Sequence, residues 1–139
     1  MKKQYNFLVI FILIIFCSVS IYFFIQYKRN NFWTGKWIRQ NSMQDIGGIL
    51  NIKFKTKNTF LYSLNVFNGY FTGNIEGLAT FSTSSAYGYV WDNNEIKCQV
   101  NFIKNNNNII VATTNDDCSY FRGLQAFFTG TYIKNVIIK

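Results

Sequence analysis

The chain contains no histidine and no proline among its 139 residues. Histidine is the commonest general base and the commonest metal ligand, so its absence removes the usual triads and metal sites. We therefore expect no metal, no cofactor and no catalytic residues. Proline lacks a backbone N–H, so its absence leaves every backbone donor available to the ladders of a β-sheet.

Acidic residues are also scarce, with 6 Asp and Glu against 14 Lys and Arg. Four of the basic residues, Lys2, Lys3, Lys28 and Arg29, flank one apolar run, and the others are scattered. A nucleic-acid binder usually shows a dense basic stripe, so we expect no nucleic-acid partner. The excess of basic residues can serve either ordinary solubility or attraction to an anionic lipid or wall polymer, and the sequence leaves both interpretations open.

Residues 7–25 carry no charge. As a helix they would span about 28 Å, close to the hydrocarbon thickness of a bilayer. The segment predicts a transmembrane signal-anchor over residues 1–29, followed by an extracytoplasmic domain over residues 30–139. The alternative is a signal peptide cleaved near Ser18–Ser20, which would release a secreted domain, but the apolar run continues past that site.

Cys98 and Cys118 are the two cysteines of the polar domain. Behind an apparent export signal, such a pair indicates a disulfide and therefore an oxidising compartment. We thus expect a single-pass protein of the cell membrane with its C-terminal domain outside the cytoplasm. Two unrelated free thiols are the alternative.

Apolar and polar residues alternate along most of the polar domain. This period of two predicts β-strands, and no helical period competes with it. Turn signals such as Gly47-Gly48 and Asn68-Gly69 separate the runs. Strands of this length joined by short turns predict an antiparallel meander.

One short pattern stands at both ends of the polar domain, as WTGKWIR (residues 33–39) and FTGTYIK (residues 128–134). If the two copies are neighbouring strands, they close an all-β, eight-stranded antiparallel up-and-down barrel that has no exposed edge. Chance recurrence in an aromatic-rich β-protein is the alternative. The residues predicted to form the closure are Trp33, Gly35, Trp37, Phe128, Gly130 and Tyr132.

The first copy resembles the opening G-x-W strand of lipocalins, here Gly35-Lys36-Trp37, and both copies resemble the T-G-x-W and T-G-x-Y strands of avidins. The domain resembles still more the small exported bacterial barrels of unassigned function, which are calycin-like. Those open with G-x-W, end with F-x-G-x-Y and carry two cysteines in their second half. The resemblance implies a barrel, and it carries no biotin site with it.

Three large aromatic residues, Tyr87, Tyr89 and Trp91, alternate along one predicted strand. On one face they would make a stacking wall for a sugar or an apolar ligand. The alternative is that they are core or girdle residues, because small barrels fill their interiors with side chains. We predict this wall as a candidate ligand-binding site.

Glu76 is the acidic residue that falls inside a predicted strand, and we add it to the candidate ligand-binding residues. An ion pair at a barrel mouth with Arg39, Arg122 or Lys134 is one interpretation, and an outward, solvated carboxylate is the other. The row Lys53, Lys55 and Lys57 is interpreted either as solvated lysines that protect an edge or as contacts to anionic lipid.

These patterns favour a non-enzymatic binding or interaction module whose partner is a small apolar ligand, a glycan or another exported protein. Inhibitors and immunity proteins often use small disulfide-bearing β-domains, which is an analogy at the level of the fold. An accessory protein of envelope assembly or transport is one alternative. An enzyme with an unrecognised Ser/Lys or carboxylate site is another, although no histidine can activate a serine.

Overall fold

The computed structural model describes residues 2–40, 46–82, 84–92, 95–114, 118–123 and 125–135. One helix and eight strands follow one another, with a short 3-10 helix before the last strand. The elements are α1 (Lys2–Trp33), β1 (Gly35–Arg39), β2 (Ile46–Phe54), β3 (Thr59–Asn68), β4 (Phe71–Ser82), β5 (Ser85–Asp92), β6 (Glu95–Asn105), β7 (Asn108–Thr113), η1 (Ser119–Phe121) and β8 (Gly130–Lys134). The strands form a closed barrel in chain order, and every pair is antiparallel. The predicted fold class is confirmed.

Helix α1 and the barrel are two separate compact units. The helix has 32 residues, which makes it about 48 Å long. Large apolar side chains are exposed on all its sides, and Phe16 is 73% exposed. The helix is long and apolar enough to cross a membrane, a test that a signal sequence also passes. The assignment of residues 1–29 as an anchor stays a prediction.

Strict alternation places one set of side chains inside the barrel. In β3, Phe60, Tyr62, Leu64 and Val66 are buried, whereas Leu61 between them is exposed. Burying a large apolar side chain stabilises a fold by roughly 1.5–3 kcal/mol. In the described part of the chain no polar or charged residue is fully buried. The largest fully buried side chains in the interior are Trp37, Leu50, Phe60, Leu64, Ile75, Phe102, Ile109, Phe128 and Tyr132.

The barrel closes where β1 pairs with β8. Ile38 lies opposite Ile133 in this antiparallel ladder, and the N–H of Gln40 extends it by donating to the carbonyl of Thr131 at 2.7 Å. Strands β1 and β8 carry most of the two similar motifs. The prediction that these motifs form neighbouring strands is therefore confirmed.

Two of the predicted closure residues lie outside the closing strands. Trp33 is the last residue of α1, and Phe128 precedes β8 by two residues. The helix extends this far because the break comes at Gly35, which has a φ of +120°. L-residues rarely adopt that conformation, and glycine is the usual residue just past a helix end. The prediction that Trp33 is a strand residue is wrong for this reason. The prediction that Phe128 is a strand residue is also wrong, because β8 begins only at Gly130.

Residues 118–123 and 125–129, which precede β8, cross one end of the barrel, and we call them the plug segment. Gly123 N–H donates to the carbonyl of Thr72 at the start of β4, at 2.9 Å. The side-chain amide of Asn68, at the end of β3, donates to the carbonyl of Gln125 at 3.0 Å. Phe128 is completely buried, so the plug segment seals this end, which we call the plug end.

Arg39 joins the plug segment to the closing strands. Its Nη1 donates to the carbonyl of Phe127 at 3.0 Å, and its Nη2 donates to the carbonyl of Thr129 at 2.8 Å. A Cβ at Gly130 would lie 2.8 Å from Nε of Arg39. The glycine of the second motif therefore leaves room for the guanidinium group that holds the closure.

Gly130→Ala should weaken the fold, because the added methyl group displaces Arg39 from its two carbonyl acceptors. We expect a loss of about 1–3 kcal/mol in the free energy of unfolding, measured by denaturant titration. In an Arg39→Ala background the same change should cost clearly less, because the group it displaces is gone. An equal cost in both backgrounds would show that Gly130 does not act through Arg39.

Cys98 and Cys118 form a disulfide, with their Cα atoms 5.2 Å apart. Both residues are buried. Cys98 lies in β6 and Cys118 begins the plug segment, so the bridge ties the plug segment to the barrel wall. The predicted pairing is confirmed.

Replacing both bridged cysteines by alanine should lower the free energy of unfolding by about 3 kcal/mol. The reason is that a bridge closing a loop of this length reduces the conformational entropy of the unfolded chain, which raises its free energy. The measurement is urea unfolding of the oxidised protein and of the double variant. Cys17→Ala, which removes the unpaired thiol of α1, serves as the control and should leave the stability of the barrel unchanged. Equal stability of all three proteins would show that the bridge adds nothing.

Candidate functional site

The three aromatic residues of the predicted wall lie on the outer face of the barrel. Tyr87, Tyr89 and Trp91 are 38%, 37% and 59% exposed. They alternate with Ala86, Gly88 and Val90, which are buried. The alternative interpretation of the three as core residues is therefore wrong, and any ligand that stacks on them binds from outside.

The ladder between β4 and β5 covers only part of the two strands. Their pairing runs from Ser82 opposite Ser85 to Ala79 opposite Gly88, whereas β4 begins at Phe71 and β5 continues to Asp92. Beyond the last pair, a cleft of about 430 Å³ lies between the strands. The residues that line this β4–β5 cleft are Glu76, Gly77, Leu78, Tyr89, Val90 and Trp91.

The cleft brings together three of the four predicted ligand-binding residues, Glu76, Tyr89 and Trp91. Tyr87 lies outside it, where it pairs with Thr80 and packs edge-to-face on Tyr89, with 5.9 Å between the ring centroids. Tyr87 therefore positions the ring of Tyr89. The sequence pattern alone gave no sign that Glu76 shares a site with the aromatic residues, because the cleft forms only where the ladder ends.

A β-bulge lies beside the cleft. The register between β5 and β6 shifts between Val90 and Trp91, so that Val90 opposes Cys98 but Trp91 opposes Ile96. Bulges bend a strand and increase its twist, and they often lie next to binding sites. Here the shift falls at the residue that carries the most exposed ring of the cleft.

Glu76 is exposed on the outer face of β4. In the described part of the chain, the ion pair found joins Lys97 to Glu95 at 2.6 Å and does not involve Glu76. Of the two interpretations of Glu76, the structure therefore favours the outward, solvated carboxylate. Its proposed partners are engaged elsewhere: Arg39 binds backbone carbonyls, Arg122 lies over the ring of Phe127 and Lys134 lies over the ring of Trp37.

A second and larger cavity of about 940 Å³ is lined by residues of β2, β3 and β4 together with Thr34 and Gly35. Leu61 contributes apolar surface to it, and Lys53 and Glu76 contribute one charge of each sign. Glu76 and Gly77 line this cavity and the β4–β5 cleft. The carboxylate of Glu76 is thus available to a ligand in either depression.

Tyr62 lies behind the β4–β5 cleft, and sequence reasoning missed it. A Cβ at Gly88 would lie 2.7 Å from its ring, and a Cβ at Gly77 would lie 3.1 Å from its hydroxyl oxygen. The hydroxyl is buried and has no hydrogen-bond partner among the described residues. Burial also raises the pKa of Tyr62. Glycines at inward positions of two adjacent strands, Gly77 and Gly88, were the signal that a large ring lies against them.

Comparisons with protein-family models, with curated proteins and with solved structures found no match to this chain. The site is therefore described by its own chemistry. It offers two aromatic rings for stacking, one carboxylate that accepts hydrogen bonds, and a tyrosine hydroxyl behind the point where the ladder ends. Such a combination of apolar surface with a few placed polar groups is typical of a binding site.

Tyr62→Phe should keep or raise the stability of the protein, by up to about 1 kcal/mol, because it removes a buried hydroxyl that has no partner. Tyr132→Phe is the matched control, because the hydroxyl of Tyr132 donates to the carbonyl of Phe128 at 3.1 Å. That control should lose about 1 kcal/mol. Denaturant titration measures both, and a larger loss for Tyr62→Phe than for Tyr132→Phe would contradict this account.

The raised pKa of Tyr62 also predicts how stability depends on pH. The unfolded chain ionises its tyrosines at about pH 10, whereas burial keeps Tyr62 protonated in the folded state above that pH. The contribution of Tyr62 is therefore fully present below about pH 10 and is lost as the pH rises further. In Tyr62→Phe the decline of stability above that pH should be smaller, and an unchanged decline would exclude Tyr62 as its source.

Proposed function

We propose that this protein is a non-enzymatic interaction module, held outside the cytoplasm by an uncleaved α1, that binds another exported protein through the outer wall of its barrel. One observation carries this proposal: the interior is filled by apolar side chains, whereas Glu76, Tyr89 and Trp91 frame a cleft on the outside. Because the interior is filled, a partner would have to bind at the outer surface of the barrel. The resemblance to small exported barrels agrees with a location outside the cytoplasm and gives no function.

The surface around the cleft has the composition of a protein-binding patch. Leu61, Leu78, Tyr89 and Trp91 are exposed apolar residues of adjacent strands, and Glu76 lies among them. Interfaces are enriched in aromatic residues, and a few such anchors provide most of the binding energy. The disulfide supports the placement outside the cytoplasm, because such bridges persist in oxidising compartments.

A second candidate is the binding of a small amphipathic ligand, such as a glycan unit, in the β4–β5 cleft. The observation that favours it is the buried hydroxyl of Tyr62, which lacks a partner among the described residues. A ligand oxygen that reached the end of the β4–β5 ladder would supply that partner. Rings of Tyr89 and Trp91 would then stack on the apolar face of the ligand.

The test uses the full chain in detergent as bait for an envelope extract, with captured proteins and glycans quantified by mass spectrometry. Trp91→Ala should abolish capture, because it removes the most exposed ring of the cleft, and Glu76→Gln should reduce it. Tyr70→Ala is the matched control, because Tyr70 is a fully exposed ring in the turn between β3 and β4.

The outcome separates the candidates. A protein captured by the wild type and by Tyr70→Ala, but not by Trp91→Ala, supports the interaction module. Specific recovery of a glycan that depends on both Trp91 and Tyr62 supports the second candidate instead. Equal capture by the wild type and by Trp91→Ala would exclude the cleft from either function.

A further inference from the structure

Lysines are concentrated at the end of the barrel opposite the plug segment, which we call the lysine end. Strand β1 begins at this end, strand β8 ends there, and the turn at residues 55–58 lies there too. Six lysines of the described residues lie at this end, of which all but Lys134 are exposed, and Lys134 is half-buried. The six are Lys36, Lys53, Lys55, Lys57, Lys104 and Lys134.

Carboxylates follow the opposite distribution. In the described part of the chain, Asp92 ends β5 and Glu95 begins β6, both at the plug end, and Glu76 lies in the middle of β4. The turns of the lysine end, at residues 55–58 and 106–107, contain no acidic residue. Like charges gathered in this way repel one another and destabilise the compact state unless an anion approaches them.

The lysine end is also the end that the chain enters from α1. Only Thr34 separates the last residue of α1 from Gly35, the first residue of β1. The apolar run of α1 ends at Ile25, and residues 26–33 continue the helix for about 12 Å. If the apolar run spans a bilayer, this continuation crosses the headgroup layer, which is several ångströms thick.

We propose that the lysine end binds the anionic phospholipid headgroups of the membrane that α1 spans. The inference rests on the uncleaved anchor of the proposed function, and it is independent of the β4–β5 cleft. Each basic residue close to an anionic surface strengthens attachment roughly fivefold. Lysine suits this contact because its flexible stem lets the ammonium group reach a phosphate from several positions. The attachment would keep the plug end directed away from the bilayer.

The test uses the full chain in nanodiscs made either of phosphatidylcholine alone or of phosphatidylcholine mixed with phosphatidylglycerol. A water-soluble amine-reactive ester labels the lysines, and mass spectrometry gives the rate at each site. The rates at Lys53, Lys55 and Lys57 should fall several-fold in the anionic discs and recover at high salt, because salt screens exposed charges. Lys97, near the plug end, is the internal reference and should label equally in both discs.

A triple variant distinguishes lipid binding by the lysines from the closeness to the membrane that the anchor alone imposes on the barrel. In K53Q/K55Q/K57Q the protection of Lys36 and Lys104 should be lost, because too few charges remain to hold the barrel on the lipid. The control K97Q should keep that protection. Protection of Lys36 and Lys104 that survives the triple change would overturn the proposal, and so would equal labelling rates in the two kinds of disc.

Soluble polyglycerol phosphate provides the remaining arm of the test. If it lowers the labelling rates in phosphatidylcholine discs while phosphatidylglycerol does not, the lysine end binds an anionic polymer and the lipid proposal is wrong. Trp91→Ala should leave every labelling rate unchanged. A negative result in the labelling test therefore does not argue against the cleft as a binding site. A negative result in the capture test likewise does not argue against lipid binding by the lysine end.

Discussion

The pairing of β1 with β8 is the constraint on which the rest of this barrel depends. Both strands have only five residues, so few ladder hydrogen bonds hold the seam, and an open seam would expose two sheet edges. Arg39 compensates by fixing the backbone just before β8 through two carbonyl oxygens. Charge-assisted hydrogen bonds of this kind are stronger than neutral ones. The seam, the plug segment and the sealed interior therefore form one connected arrangement, and each part needs the others.

Glycines make this arrangement possible, and each acts in its own way. Gly35 supplies the backbone conformation that separates helix from strand, whereas Gly130 provides space for a guanidinium group. Gly73 provides space for Arg122 and Phe128 of the plug segment, since a Cβ there would lie 2.7 Å and 2.9 Å from them. A Thr-Gly pair occurs at residues 34–35, 72–73 and 129–130, so one sequence pattern has different structural uses. Removing a Cβ allows a large side chain to cross a pleated surface that would otherwise block it.

The same principle explains which features of the fold and of the site could be predicted from the sequence. Alternation predicted all eight strands, and the repeated motif predicted their closure, because both follow from local periodicity and from edge protection. Gly47-Gly48 was predicted to be a turn but lies within β2, because Gly48 makes room for the hydroxyl of Tyr132, 2.9 Å from a Cβ placed there. That ring comes from a strand distant in sequence, so no local pattern could reveal it. Likewise, alternation placed Tyr89 and Trp91 on one face but left open which face is the outer one, and it gave no sign that the β4–β5 ladder ends at Gly88.

Rigidity gives the cleft its value as a binding surface. Strands β4 and β5 separate toward the plug end, where a two-stranded region without support would be expected to fray. The plug segment holds both sides: Gly123 bonds to Thr72 on the β4 side, and Cys118 is bridged to Cys98, which pairs with Val90 of β5. The rings of Tyr89 and Trp91 are therefore held at a fixed separation from Glu76 before any partner arrives. A preorganised surface loses little conformational entropy on binding, so a barrel whose interior is filled by apolar side chains can still present an effective binding site on its wall.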